Sequence, residues 1–138
     1  MTNPDSRPAS RIRSPRILIV EDELVIALMI EELVRELGYT VSSVAPTVAM
    51  ARLQIAQRKF DAVLLDVQLD GASHPETADV LLEAGIPFAF VTGYDYVLEP
   101  RHDGVPLLEK PFRSVQLRML LEQLVGPPSP TNEVAGTS

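Results

Sequence analysis

The chain contains no cysteine, which removes disulfides, thiolate nucleophiles and zinc–thiolate sites at once and suits a reducing cytoplasm. Positive charge is not in excess either: 12 Lys and Arg stand against 19 Asp and Glu, for a formal net charge of -7. That balance disfavours nonspecific attraction to nucleic-acid phosphates or anionic membranes, so no nucleic-acid partner is expected. Long apolar runs are missing as well. Ile17-Leu18-Ile19-Val20 is too short for a bilayer span or a signal-peptide core, and acids follow it. No membrane insertion is expected, and the localisation read from these absences is cytoplasmic. No Gly-rich or Ser/Thr-rich phosphate loop follows that first apolar run, which argues against a bound nucleotide-like cofactor.

What is present is an ordinary composition, 46% hydrophobic and 22% charged over 138 residues. That length allows one domain with one core and little room for a separate output domain. Residues 1–15 read as a flexible basic tail carrying Arg7, Arg11 and Arg13, residues 16–126 as the domain, and residues 127–138 as a flexible Pro/Ser/Thr tail.

Ala62-Val63-Leu64-Leu65 has no polar alternation and reads as a central strand covered on both faces. Ile17–Val20, Tyr39–Ala45, Phe88–Val91 and Val105–Leu108 complete a set of five strands, with Pro87 suited to the first position of the fourth. Between them, Ile26, Met29, Ile30, Leu33, Val34 and Leu37 recur at helical spacing, and Gly38 closes that helix. Thr47 can cap a second helix turning Val48, Leu53 and Ala56 inward. Val67–Pro75 reads as a loop followed by a short helix from Glu76 to Ala84. The polar stretch Tyr94–Gly104, with Pro100 inside it, predicts no well-formed helix, and Phe112–Val125 predicts the last one through Val115, Leu117, Leu120, Leu121 and Leu124. His74 and His102 lie in loops with no partner at ligand spacing and are expected to be solvent-exposed. Alternating strands and helices with short links imply an α/β fold: a doubly wound, five-stranded parallel sheet in the flavodoxin-like order 2-1-3-4-5, with helices on both faces and a shortened or irregular third and fourth helix region.

In such sheets ligand chemistry gathers beyond the carboxyl ends of the strands. The first strand runs into Glu21-Asp22, the central strand into Asp66, the fourth into Thr92 and the fifth into Lys110. Acids before a helix also complement its dipole, yet three carboxylates gathered on one rim repel unless a cation neutralises them. Mg2+ suits this, because it takes oxygen ligands from one or two carboxylates plus a phosphate. A carboxylate can itself be the nucleophile that becomes an aspartyl-phosphate, and Asp66, alone at its strand end, is best placed for it. Lys110 supplies a compact positive charge for the transferring oxygens, and Thr92 a hydroxyl.

Ile-Leu-Ile-Val-Glu21-Asp22-Glu23, Val-Leu-Leu-Asp66-Val, Val-Thr92-Gly and Glu-Lys110-Pro111-Phe112, in that order, resemble the motifs of bacterial response regulator receiver domains, the CheY-like family. The resemblance covers Arg16 to about Val125. It implies that Asp66 accepts a phosphoryl group from a histidine kinase or histidine phosphotransfer protein of a two-component or phosphorelay system. It implies Mg2+ held by Glu21, Asp22, Asp66 and the backbone carbonyl of Gln68, contact of Lys110 with the phosphoryl group, movement of Thr92 toward it, and a cis peptide before Pro111. Such a protein is a phosphoacceptor signalling protein rather than an enzyme, with at most self-catalysed phosphoryl transfer and autodephosphorylation.

Two departures stand out. Leu107 occupies the place of the family's usual switch aromatic, and Gln68-Leu69-Asp70-Gly71 replaces the usual Met-Pro. Phe88-Ala89-Phe90-Val91-Thr92-Gly93-Tyr94 looks like the alphaproteobacterial "FAT GUY" receivers, commonly single-domain and linked to general stress signalling, and it makes Tyr94 a second switch candidate. The leading reading is a single-domain response regulator, monomeric or weakly dimeric, that binds a downstream protein partner or passes its phosphoryl group on. The alternative is a constitutive interaction module with a little-used phosphorylation site. A haloacid-dehalogenase-type phosphatase is disfavoured, because Asp66-Val67-Gln68 lacks the second acid that such an enzyme carries two residues on.

Overall fold

The computed structural model describes residues 14–93 and 95–128. Tyr94 and nearly all of both expected tails lie outside the described residues. The element order is β1 (Arg16–Val20), α1 (Leu24–Glu36), β2 (Thr40–Ala45), α2 (Val48–Gln57), β3 (Ala62–Leu65), β4 (Gln68–Leu69), β5 (Ala72–Ser73), α3 (Glu76–Ala84), β6 (Phe88–Gly93), a 3-10 turn (Pro100–His102), β7 (Leu107–Lys110) and α4 (Ser114–Val125).

Five strands form one parallel sheet in the order β2-β1-β3-β6-β7, while β4 and β5 make a separate antiparallel hairpin. The expected doubly wound order is therefore the observed one. Side chains alternate across the sheet as the two-residue strand period requires. Leu18 and Val20 of β1 face Ala51 and Ile55 of α2 and Leu81 of α3 in one buried cluster. Ile17 and Ile19 face Ile30 and Val34 of α1 and Leu117 and Leu121 of α4 in the other. All four residues of β3 are buried, as its unbroken apolar run predicts.

The turns between elements follow their residues. Thr47 accepts a hydrogen bond from the Met50 N–H at 3.1 Å and caps α2. Gly85 ends α3 at φ +70°, a conformation in which any Cβ is strained. Tyr39, buried just before β2, donates its hydroxyl to the carbonyl of Gly126 at 2.7 Å and so ties the sheet edge to the end of α4.

Several local expectations are corrected. In α2 the inward residues are Ala51 and Ile55, with Val48 half-buried beside them, whereas Leu53 and Ala56 are exposed. At 3.6 residues per turn Val48, Ala51 and Ile55 share a stripe, and Leu53 falls on the opposite side. In α1, Met29 is exposed and the small Ala27 takes the buried position. The fifth strand begins at Leu107 rather than Val105, because Pro106 has no N–H for the ladder and contributes only its carbonyl, which accepts from the Phe90 N–H at 2.9 Å. The expected loop after Asp66 contains the β4–β5 hairpin, turned by Asp70 and Gly71 at φ +56° and +74°. Asp-Gly is the pair that a two-residue type I′ turn favours.

His102 is also corrected: it is fully buried rather than exposed. Among the described residues no α-helix spans the crossover from β6 to β7, so its own side chains cover Phe90. Tyr96, Leu98 and Val105 pack against that cluster, and the His102 ring lies 5.6 Å from that of Phe90. His102 Nε2 lies 2.8 Å from Asp79 Oδ1 on α3, and Arg101 donates two hydrogen bonds to the same carboxylate at 2.8 and 2.9 Å. These bonds hold the Asp79 carboxyl well below the usual carboxylate range. His74 is half-buried, with Nδ1 3.3 Å from Glu76 Oε2.

Burial, with the nearby Glu122 carboxylate adding to it, pushes the Tyr39 hydroxyl from its ordinary 10.0 up to about 12. The unfolded chain releases that proton first, so unfolding free energy falls as pH rises from 10 towards 12. Tyr39→Phe is expected to remove that alkaline loss and to cost about 1 kcal/mol at neutral pH, the usual net worth of a hydrogen bond. Urea unfolding of both proteins at pH 7 and at pH 11 checks this, and an unchanged alkaline loss in the variant would show that Tyr39 is not its source.

Candidate functional site

Strand register, more than proximity in sequence, assembles the rim. In the parallel ladders Val20 pairs with Leu65, so the next residues, Glu21 and Asp66, emerge side by side. Leu65 pairs with Phe90, and Gly93 with Lys110, which brings the end of β7 to the same edge. Glu21 continues the alternation of Ile17 and Ile19, Asp66 that of Ala62 and Leu64, and Lys110 follows Leu108 by two, all on the face covered by α1 and α4. Thr92 instead follows Phe88 and Phe90, whose side chains belong to the opposite face.

The outcome is a compact ionic cluster. The Lys110 ammonium donates to Glu21 Oε1 at 2.8 Å and to Asp66 Oδ2 at 2.9 Å. Both carboxylates are almost wholly buried, at 2% and 4% exposure. The other oxygen of each accepts a backbone N–H: Asp66 Oδ1 from Gln68 at 2.8 Å and Glu21 Oε2 from Glu23 at 3.2 Å. Asp22 is half-buried, and its Oδ2 accepts the Asp70 N–H of the hairpin turn at 2.9 Å. The Lys110–Pro111 peptide is cis.

Burial raises the Glu21 carboxyl above its ordinary range despite the stabilising ammonium of Lys110. Burial also works against the charge on Lys110, but hydrogen bonds to Glu21 and Asp66 outweigh it, and the ammonium holds its proton more tightly than an ordinary lysine. Lys110 thus behaves as a fixed cation between two acids.

One ligand oxygen each from Glu21, Asp22 and Asp66 lie within 4.8 Å of one another, the single such group of acids among the described residues. A single ammonium leaves this trio with net negative charge, and an all-oxygen donor set with room for water fits a hard divalent cation such as Mg2+.

The structure therefore brings Glu21, Asp22, Asp66, Lys110 and the backbone of Gln68 together. Thr92 is fully buried, and its hydroxyl donates to the Gln68 side chain, at Oε1 and 3.1 Å, rather than to the acids. Leu107 is 42% exposed on the edge strand, away from the acids. Tyr94 lies outside the described residues. Sequence reasoning missed two contributors: the Gln68 side chain and the backbone of Asp70. The Asp-Gly pair was the one available signal for the turn that places the second.

A cavity of 420 Å3 adjoins the cluster, lined by Ile26, Met29, Lys110, Pro111 and Phe112. Leu24, Val25, Leu28 and Met29, in the first turns of α1, are between 48% and 79% exposed. No helix among the described residues is long and apolar enough to cross a membrane.

Removal of the Lys110 charge leaves buried acids uncompensated. Lys110→Met is expected to cost about 3 kcal/mol at pH 8 without divalent ions. The cost shrinks as pH falls, because the raised Glu21 carboxyl takes up a proton and no longer needs the ammonium. Added Mg2+ is expected to restore part of the loss. Urea titrations at pH 8 and pH 5, with and without Mg2+, check both trends, and a pH-independent loss indifferent to Mg2+ would reduce Lys110 to a packing role.

Comparisons with known proteins bear on the family and the fold. The model of the response regulator receiver domain matches residues 17–122. The phyllosphere-induced regulator PhyR of Methylorubrum extorquens is 33% identical over 112 residues, and the match covers 78% of this chain and 42% of that regulator. The solution structure of SdrG from Sphingomonas melonis Fr1 superposes with a TM-score of 0.72 at 35% identity, over 80% of this chain and 96% of SdrG. The crystal structure of the anti-anti-sigma factor PhyR from Bartonella quintana superposes with a TM-score of 0.70 at 31% identity, over 87% of this chain and 51% of that one. The chain thus spans about half the length of the PhyR proteins it resembles. With the family model matching from the first strand into the last helix, over the fold whose register builds this acidic rim, the chain belongs to the response regulator receiver domain family.

Proposed function

We propose that this protein is a cytoplasmic single-domain response regulator of the SdrG type, in which Asp66 is the phosphoacceptor. The observation that carries the reading is Lys110 bridging buried Asp66 and Glu21 at 2.9 and 2.8 Å. The match to SdrG over 96% of its length supports a receiver of that type.

The proposed donor is the phosphohistidine of a kinase or phosphotransfer protein. An Asp66 oxygen attacks phosphorus, the new P–O bond replaces the P–N bond, and the electron pair leaves with the imidazole, which takes up a proton. The Gln68 N–H and the Lys110 ammonium already hold the two oxygens of Asp66, so the nucleophile is oriented beforehand. Lys110 then donates to the phosphoryl oxygens. Glu21, Asp22, Asp66 and the Gln68 carbonyl would hold Mg2+, which when bound supplies charge neutralisation for the transferring group. Thr92 turns toward the phosphoryl group, and the β6–β7 region carries the change to a downstream partner or yields the group onward.

The exposed apolar start of α1, beside Lys110, supports docking of a protein donor there, because the phosphohistidine has to reach Asp66 over that edge. Val25→Glu with Leu28→Glu is expected to slow phosphotransfer from the cognate protein donor about tenfold while leaving labelling by acetyl phosphate unchanged. Equal rates from the protein donor would place its footprint elsewhere.

The decisive experiment is intact mass after incubation with acetyl phosphate, with and without Mg2+, on wild type and Asp66→Ala. One phosphoryl adduct that needs both Mg2+ and Asp66 is expected. No adduct from acetyl phosphate or from cognate kinases would leave a constitutive interaction module with a receiver fold.

A further inference from the structure

The Thr92 hydroxyl has one proton to give, and it is already committed. It donates to Gln68 Oε1 at 3.1 Å, in a position where Thr92 is fully buried. A hydroxyl cannot use the same proton for Gln68 and for a phosphoryl oxygen on Asp66. Movement of Thr92 toward a modified Asp66 therefore requires this bond to break.

Gln68 is well fixed for such a role. Its backbone N–H donates to Asp66 Oδ1 at 2.8 Å, so the residue that holds Thr92 also touches the phosphoacceptor. It pairs with Ser73 across the β4–β5 hairpin, whose turn is in turn anchored by the Asp70 N–H on Asp22 Oδ2 at 2.9 Å. The His74 N–H closes the base of the hairpin on the Val67 carbonyl at 2.6 Å. A side chain carried on a short, tethered hairpin holds its partner more firmly than one on a free loop.

We propose that the Gln68 side chain is a latch that holds Thr92 away from Asp66 in the unmodified protein and so sets how readily the receiver switches. The inference rests on Asp66 being the phosphoacceptor. Gln68 acts through Thr92 and is a positioning residue in this respect, separate from its backbone carbonyl. The latch opposes activation: any occupant of Asp66 that recruits the hydroxyl has to outcompete the amide oxygen, and the population of the switched state is lowered accordingly.

The test uses beryllofluoride with Mg2+ as the phosphoryl mimic, read by the fluorine-19 resonance of the protein-bound adduct on the full chain. Gln68→Met keeps the length of the side chain and removes its amide. It is expected to lower the half-saturating beryllofluoride concentration about fivefold, the factor that one lost hydrogen bond represents. Gln68→Ala is expected to do the same should the methionine variant fold poorly. The separating measurement is a double-mutant cycle in Thr92→Val, which has no hydroxyl to latch. There the Gln68 substitution is expected to have no effect on beryllofluoride affinity. An equal shift in both backgrounds, or weaker binding by Gln68→Met, overturns the latch and leaves the phosphoacceptor reading intact. Wild-type protein that binds no beryllofluoride overturns that reading and the latch with it.

Discussion

One ammonium between two buried carboxylates organises the working edge of this molecule. Lys110 stands within hydrogen-bond distance of Glu21 and Asp66, and in a poorly hydrated site two carboxylates left without a counter-charge are costly. The neutralisation is incomplete. With Asp22 alongside, the cluster keeps net negative charge and free oxygen lone pairs, the condition for drawing in a divalent cation. A rim built this way is stable enough to fold and unbalanced enough to bind.

The parallel sheet delivers these groups at no local strain. Because β1 and β3 end level with one another while β6 and β7 run three residues further, carboxylates separated by dozens of residues share one face, and the lysine reaches them from the edge strand. Thr92 belongs to the other face by the same alternation. Its engagement with Gln68 follows from that placement: a buried hydroxyl needs a partner, and the hairpin after Asp66 supplies it. The sheet thus keeps the acids and the ammonium on one side and the Thr92 hydroxyl on the other.

The stretch between β6 and β7 gives up regular helix and holds together by different means. Asp79 on α3 takes hydrogen bonds from Arg101 and pairs with His102, and the buried imidazole fills the space over Phe90. An exposed ion pair alone contributes little. Here it is coupled to a buried ring and to apolar packing from Tyr96, Leu98 and Val105, so the polar and apolar contacts fix the same crossover. This segment follows the strand that carries Thr92.

The chain by itself determined the five strands of the parallel sheet, the doubly wound order and the acids and lysine of the rim, because each of these is written in local pattern: unbroken apolar runs, Gly and Pro punctuation, and reactive residues at strand ends. Tertiary structure decided what depends on facing and on distant partners. Leu53 looks as apolar in sequence as Ile55, yet only the helical phase relative to the sheet buries one and exposes the other. His102 sits among polar residues in sequence, but Asp79 and Phe90, far away in the chain, make its burial tolerable. Gln68 gives no sign in sequence of meeting Thr92. The Asp-Gly turn, the tether to Asp22 and the parity of β6 bring them together, and only packing in three dimensions sums those three constraints.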